Sequence, residues 1–402
     1  MFKPTLLIAL VSLTAFAGGE GKETVLEDWA ARPHDKFEGG ARAFDAVKRE
    51  LLDEYVKNGL DEDDLYRAAA EGMLAQIDPS MRPYNKLLSP KQNAELLQDM
   101  KGEVVGVGVQ LKFDEPTGRA EVMGVMKGGP AEKADLRDGD IVLTVDGQSF
   151  KGKTVHDLVG AVRGKIGEKV TLSVLRDNQV ITKTLERQRV SYELVTFELL
   201  PNDVGVIAIH SFGEGTPDQV RAAISKLQAS KAKGLIVDLR GNEGGLLEKA
   251  MDTAKLMLPK GKVIARLAHR GGKEEVREQT GDPMMQALPT VVLIDKDTRS
   301  SAELVAAALR EGLRAPLIGA KTAGKWSVQA LKELPNHFVM RYTVALFKSP
   351  DNKSYEAEGL PADIEVAMDE ATGQKAWRAK TPAERVAIDV QLRAAANFLR
   401  LR

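Results

Sequence analysis

The chain has 402 residues, of which 43% are hydrophobic and 29% charged, and its formal net charge is −1. That length exceeds one ordinary core and predicts two or three domains. The balance describes a folded, soluble chain with no global attraction to nucleic acid or anionic membrane. There is no cysteine, which excludes disulfides, thiolate metal sites, thiol nucleophiles and a lipid anchor on cysteine.

Residues 1–17 read as a signal peptide. Lys3 gives a basic start, residues 6–16 are apolar except Ser12 and Thr14, and Ala15-Phe16-Ala17 has the small-x-small pattern of a cleavage site. The protein is therefore expected to be exported, periplasmic or secreted. The competing reading is a buried N-terminal helix. No later apolar run is long enough to span a bilayer. Residues 18–101 form an N-terminal helical segment behind a polar, glycine-containing lead. Phe44, Val47, Leu51, Leu52 and Tyr55 recur at helical spacing. Residues 65–77 repeat the pattern, Asp78-Pro79 ends it, and Ser89-Pro90 opens a third helix.

Residues 102–190 predict a compact β-rich module. Val104, Val105, Val107, Val109 and Leu111 make a strand-like run broken by Gly106 and Gly108. A strand over 120–126 follows, then a helix start at Gly129-Pro130. Next come a strand over 141–145, a tight turn at Asp146-Gly147, a helix over 155–162 and a closing strand over 169–175. Residues 191–370 alternate apolar strand-length runs (204–209, 234–237, 291–294) with helices over 217–230, 246–258 and 302–311, which predicts an α/β core with a largely buried sheet. Residues 371–402 are a helical segment, with one charged amphipathic helix over 382–402.

Phosphate-binding loops and zinc motifs are missing, and the five histidines have no metal-ligand spacing. Two segments each follow a buried strand and lead into a helix. In Asp238-Leu239-Arg240-Gly241-Asn242-Glu243-Gly244-Gly245, backbone N–H groups can face an oxygen that gains negative charge; the plainer reading is a simple turn with Arg240 in a salt bridge. In Thr298-Arg299-Ser300-Ser301-Ala302-Glu303, the hydroxyls fall where ligands of open α/β sheets bind; the plainer reading is an N-cap at Ser300 or Ser301 with Glu303 nearby. Downstream, Gly324-Lys325-Trp326-Ser327-Val328-Gln329 holds a lysine in apolar company. To take a proton from serine near pH 7, such a lysine must be lowered from near 10.4 to about 7 by burial; a solvated surface lysine is the commoner outcome.

Together these three segments resemble the C-terminal processing peptidases, Ser-Lys endopeptidases also called tail-specific proteases, whose DLRxNxGG, SASASE-like and GKGxVQ motifs follow in this order. The family nucleophile stands three positions before the glutamate, its lysine 25 positions later and its glutamine four beyond that, and these intervals select Ser300 over Ser301. The resemblance, over residues 41–366, implies Ser300 as nucleophile, Lys325 as general base, Gln329 as its orienting residue, and backbone N–H groups of Gly244 and Ser301 as oxyanion donors. It implies an α/β peptidase core of the ClpP/crotonase-like kind with an inserted PDZ domain and helical N- and C-terminal segments. In the PDZ module, Val105, Gly106, Val107, Gly108 and Val109 would bind a substrate's C-terminal carboxylate. Arg163, in Arg163-Gly164-Lys165-Ile166-Gly167, would couple the module to activity; alternatively it offsets a helix dipole. Glu356, Gly359, Pro361 and Asp363 echo the family's closing strand region. Arg299, Ser301 and Trp326 depart from the family pattern around the site, and His210 reads as structural.

The expected substrates are proteins with apolar C-terminal tails. No cofactor or metal is expected and no nucleic acid; a regulatory or adaptor protein and a homo-oligomer stay open. The competing functions are a catalytically silent PDZ scaffold on a peptidase fold and a serine hydrolase that uses a histidine.

Overall fold

The computed structural model describes residues 39–400 except 58, 285–287 and 336, so the expected signal peptide and most of the polar lead lie outside the described residues. The chain divides into two compact units. One holds residues 91–328 and 345–402, the other the described part of 12–90 together with 329–344.

The second unit contains the helices Gly40–Glu54 and Glu62–Ile77 and the short strand Lys86–Leu88. Asp61 starts the second helix: its carboxylate accepts the N–H groups of Asp63 and Asp64, and Glu62, Asp63 and Asp64 place negative charge on the first turn. These helices bury little. Among the described residues Leu74 alone is buried in the second and none is buried in the first, while Val47, Met73 and Ile77 are exposed. Lys86–Leu88 pairs antiparallel with the first part of the strand Val339–Lys348, which sets Lys86 opposite Arg341 and Leu88 opposite Val339.

In the first unit, the β-rich module is an antiparallel sheet in chain order: Val109–Asp114, Arg119–Val125, Ile141–Val145, Lys169–Arg176, Gln179–Glu186. Alternation along Lys169–Arg176 turns Val170, Leu172 and Val174 inward onto Phe113, Val122, Leu158 and Leu185. A capping box between Thr154 and Asp157 starts the helix Val155–Val162. The strand Lys169–Arg176 does not close the module, contrary to the sequence expectation. Asp177 and Asn178, with φ of 48° and 61°, make a tight turn into Gln179–Glu186. Both positions need left-handed backbone, which Asp and Asn tolerate without glycine.

The α/β half is a six-stranded sheet ordered Ile364–Glu365, Leu317–Gly319, Thr290–Ile294, Gly234–Asp238, Val204–Ile209, Val195–Leu199, parallel throughout except the last. Its central strands are buried at every position, as a parallel sheet covered on both faces requires. The C-terminal segment is helical as expected, but 382–402 is two helices, Pro382–Ile388 and Val390–Arg400. Asp389 makes the break: its Oδ1 accepts the N–H groups of Gln391 and Leu392 and restarts the chain. Leu392, Ala395, Ala396 and Leu399 then pack on Val206, Ile236, Val291, Leu293 and Ile318. Among the described residues no helix is long and apolar enough to cross a membrane.

Candidate active site

Three strands that are neighbours in the parallel sheet, Gly234–Asp238, Thr290–Ile294 and Leu317–Gly319, release three segments from their C-terminal ends. Parallel pairing aligns these ends on one edge of the sheet, so segments far apart in sequence meet there.

The first segment runs from Asp238 to Leu246. Arg240 lies in a salt bridge, as the plainer sequence reading had it. Its guanidinium donates to Asp238 at 2.9 and 2.7 Å, to Asp389 at 3.0 and 2.9 Å and to Gln391 Oε1 at 3.0 Å. Burial alone would raise the Asp238 carboxyl, yet the Arg240 guanidinium holds it below the usual carboxylate range. Asn242 is fully buried; its Nδ2 donates to Ile209 O and its Oδ1 accepts the Gly244 N–H at 2.8 Å. Gly245 sits at φ 145°, where a Cβ would lie 2.4 Å from Phe212 O. Only glycine fits there.

The second segment runs from Asp295 to Ser300. Thr298 Oγ1 donates to Leu239 O at 2.9 Å and Arg299 N–H to Asn242 O at 3.0 Å, which stitches this turn to the first. Ser300 has φ 62° and ψ −125° and is fully buried. A non-glycine residue in that region carries about 1–3 kcal/mol of strain, and such strain clusters at functional sites. The helix Ser301–Leu313 starts at the next residue.

The third segment, residues 320–326, brings Lys325. Its Nζ stands 3.2 Å from Ser300 Oγ and donates to Ser327 O at 2.8 Å, with Lys325 only 5% exposed. The two side chains are held through Glu303. That buried carboxylate accepts the N–H groups of Ser300 (2.8 Å), Gly324 (2.8 Å) and Lys325 (2.9 Å) and the hydroxyl of Thr322. The sequence offered Glu303 as an N-cap neighbour and as the motif glutamate from which Ser300 is counted, and Asn242 as a motif position, without a structural role for either; it did not single out Thr322. Capping-box spacing and the serine motif were the signals for Glu303 and the first turn's motif that for Asn242, whereas Thr322 has no local one.

Trp326 fills space beside Lys325 rather than opening it. Its ring is fully buried between Phe347 and Tyr355, with centroids 4.7 and 5.1 Å away; the main-chain N–H of Trp326 donates to Glu356 Oε2 at 2.6 Å, while the indole N–H has no acceptor among the described residues. Ser301 is also fully buried; neither its N–H nor its Oγ has an acceptor among the described residues. Gln329 belongs to the second unit, where it is 2% exposed and donates to Thr343 Oγ1 at 3.2 Å. Of the remaining expected positions, Val105 and Gly106 end a strand and Val109 begins the next. Between them the carbonyls of Val107 and Gly108 accept from Ala131 and Met126, while the N–H groups of both residues lack acceptors among the described residues. Arg163 Nη2 donates to Asp99 Oδ1 at 3.3 Å. His210 is tied to Thr196 Oγ1 at 3.0 Å, and burial pushes its imidazole pKa down.

The chain is similar to proteins of known family. Residues 203–366 match the model of peptidase family S41 and residues 121–176 a PDZ domain model. The carboxy-terminal processing protease CtpA of Bacillus subtilis is 33% identical over 372 residues, which is 92% of this chain and 77% of the relative. The carboxyl-terminal-processing protease of Synechocystis is 33% identical over 319 residues, 78% of this chain and 74% of the relative. The solved structure of the photosystem II D1 C-terminal processing protease matches with a TM-score of 0.54 at 26% identity, over 89% of this chain and 97% of that one.

A buried α/β core with a PDZ module in the same chain is thus the frame of a serine-type peptidase. The chain belongs to peptidase family S41, among the carboxy-terminal processing proteases.

Proposed function

We propose that this peptidase is exported and cleaves proteins at or near their C-termini by a Ser-Lys mechanism, with Ser300 as nucleophile and Lys325 as general base. The observation that carries the proposal is the 3.2 Å approach of Lys325 Nζ to Ser300 Oγ at a strained, buried serine. A general base must be the free amine, and removal of a lysine from water in general disfavours its ammonium form. Lys325 takes the Oγ proton as Oγ attacks the scissile carbonyl. It returns the proton to the leaving amine, and water then hydrolyses the acyl-enzyme.

The Ser301 N–H, which has no acceptor among the described residues, serves the oxyanion. The Gly244 N–H, which donates to Asn242 Oδ1 at 2.8 Å, would serve it once released from that acceptor. Gln329 keeps the positioning role that the family pattern assigns it.

The PDZ module delivers the tail. Two properties support this: the open N–H groups of Val107 and Gly108 suit a terminal carboxylate, and Val109–Asp114 is an edge strand able to accept one more strand. Arg163 is the regulatory contact, and its pair with Asp99, whose carboxyl burial pushes up to about 6, joins the module to the helix Pro90–Met100. The exposed apolar residues of Gly40–Glu54 and Glu62–Ile77 support assembly with a second copy.

The test is digestion of an unfolded, apolar-tailed protein, with the products read by mass spectrometry. Ser300→Ala and Lys325→Ala should each abolish cleavage, Ser301→Ala should keep it, and EDTA should leave it intact. Equal cleavage by Ser300→Ala and wild type would discard the assignment and leave the module as a binder only.

A further inference from the structure

A buried cation ordinarily sits against a carboxylate, because an unpaired charge away from water is costly. Arg341 departs from that rule. It is only 7% exposed, yet no Asp or Glu among the described residues forms an ion pair with it. Its Nε donates to Tyr84 O at 3.0 Å and its Nη2 to Pro83 O at 3.3 Å, both main-chain carbonyls; Nη1 has no acceptor among the described residues. Directly across the strand pair stands a second cation, Lys86, at the solvent side and likewise without an acidic partner there. Each is held below its ordinary pKa, Arg341 by burial and Lys86 by burial and by Arg341 itself. Two adjacent cations without a counter-charge repel each other, and the fold keeps them opposed.

Within the second unit, hydrogen bonds link their strand neighbours to Gln329. Thr343, two residues beyond Arg341 and so on the same strand face, receives Gln329 Nε2 at 3.2 Å. Its N–H and hydroxyl donate to Asn85, the neighbour of Lys86. Gln329 lies four residues beyond Lys325 in the chain. One open guanidinium nitrogen beside one ammonium suits a single carboxylate better than the three-oxygen face of a phosphoryl group.

We propose that Arg341 and Lys86 form a binding site for a carboxylate, supplied by an acidic side chain of the polypeptide substrate, and so give the peptidase a preference for acidic residues in the region it grips. This rests on the peptidase reading above for the source of the carboxylate. The site itself is testable without catalysis.

The probe is a fluorescent alanine–serine peptide series in which one glutamate is walked along the chain, each member beside its glutamine counterpart. Binding is measured by anisotropy to Ser300→Ala protein, and cleavage by wild type is followed in parallel. At the preferred position the glutamate peptide should bind about tenfold tighter than its counterpart at low salt, and the advantage should shrink as salt is raised. Arg341→Gln should erase the advantage while glutamine peptides bind as before. Lys86→Gln, at an exposed position that does not endanger folding, should reduce it about threefold. An equal affinity for every pair, or an advantage that survives Lys86→Gln and Arg341→Gln unchanged, overturns the proposal. A binding advantage without any cleavage would keep this site and overturn the peptidase assignment instead.

Discussion

Two turns leave neighbouring parallel strands, and they solve opposite problems. The Asp238–Leu246 turn bends through glycines, Gly244 at φ 106° and Gly245 at φ 145°, where left-handed backbone costs nothing. Its side chains, Arg240 and Asn242, hold it to the rest of the fold. The Asp295–Ser300 turn reaches its left-handed position with a serine, the residue proposed as nucleophile, and it must be held against the strain. Glu303 does the holding, with four donors on two oxygens. A backbone site can rest on glycine, whereas a side-chain site needs a buried clamp.

The clamp is therefore the most sensitive point. Glu303→Ala strands three N–H groups and one hydroxyl, each costing about 1–3 kcal/mol when left unmade. Urea unfolding should show a loss of several kcal/mol. Glu303→Gln keeps the shape but turns an amide N–H₂ toward donors, so it should fold and lose about 100-fold or more in kcat. Normal turnover by Glu303→Gln would show that the carboxylate does not align the pair.

The glycine turn should break for steric reasons instead. Gly245→Ala puts a Cβ against Phe212 main chain, at 2.4 Å from O and 2.7 Å from both C and N. No rotamer relieves a backbone clash, so a loss of about 3 kcal/mol or more is expected. A wild-type melting curve for Gly245→Ala would mean that the turn is looser than described.

Strain at Ser300 gives the next effect. Ser300→Ala and Ser300→Gly both remove the hydroxyl, but only glycine is at ease at φ 62°. Ser300→Gly should be more stable than Ser300→Ala by about 1 kcal/mol in urea unfolding. Equal stability would remove strain from the account of this turn.

The sequence carried the strands of the central sheet, because parallel strands buried on both faces are continuous apolar runs such as Val291-Val292-Leu293-Ile294. It carried Ser300 and Lys325 through motif and interval. It did not carry the clamp, since Glu303 meets Thr322 and Gly324 only after three strands align, and a capping spacing says nothing of that. The strands Val263–His269, Glu274–Glu278 and Val339–Lys348 were also hidden: they mix charged and apolar residues and pair over long separations. The helix break at Asp389 was hidden because helical periodicity runs straight through it; there the carboxylate both caps Gln391 and Leu392 and accepts from Arg240.

At the far end of the helix that follows Ser300, a second glutamate meets the opposite environment. Glu303 and Glu311 lie on the same helix, Ser301–Leu313, but Glu311 lacks the crowd of donors that Glu303 has. Its Oε2 accepts the Asp351 N–H at 2.7 Å, while its buried Oε1 has no hydrogen-bond partner. Burial, then the neighbouring Asp351 carboxyl, pushes Glu311 up to about 7. Burial would raise Asp351 as well, but Lys353 and Ser349 hold it down to about 2. Arg310, 3.9 Å from Glu311, only partly opposes the rise. The folded protein therefore binds this proton more tightly than the unfolded chain, whose ordinary value is 4.5. Stability should fall as pH rises from about 4.5 to 7 and level off above that. Glu311→Gln keeps an acceptor for the Asp351 N–H and removes the titration. Its melting temperature should exceed wild type at pH 7.5 and match it at pH 5. A gain at pH 5 as large as that at pH 7.5 would assign the effect to packing and show that folding does not raise the Glu311 carboxyl.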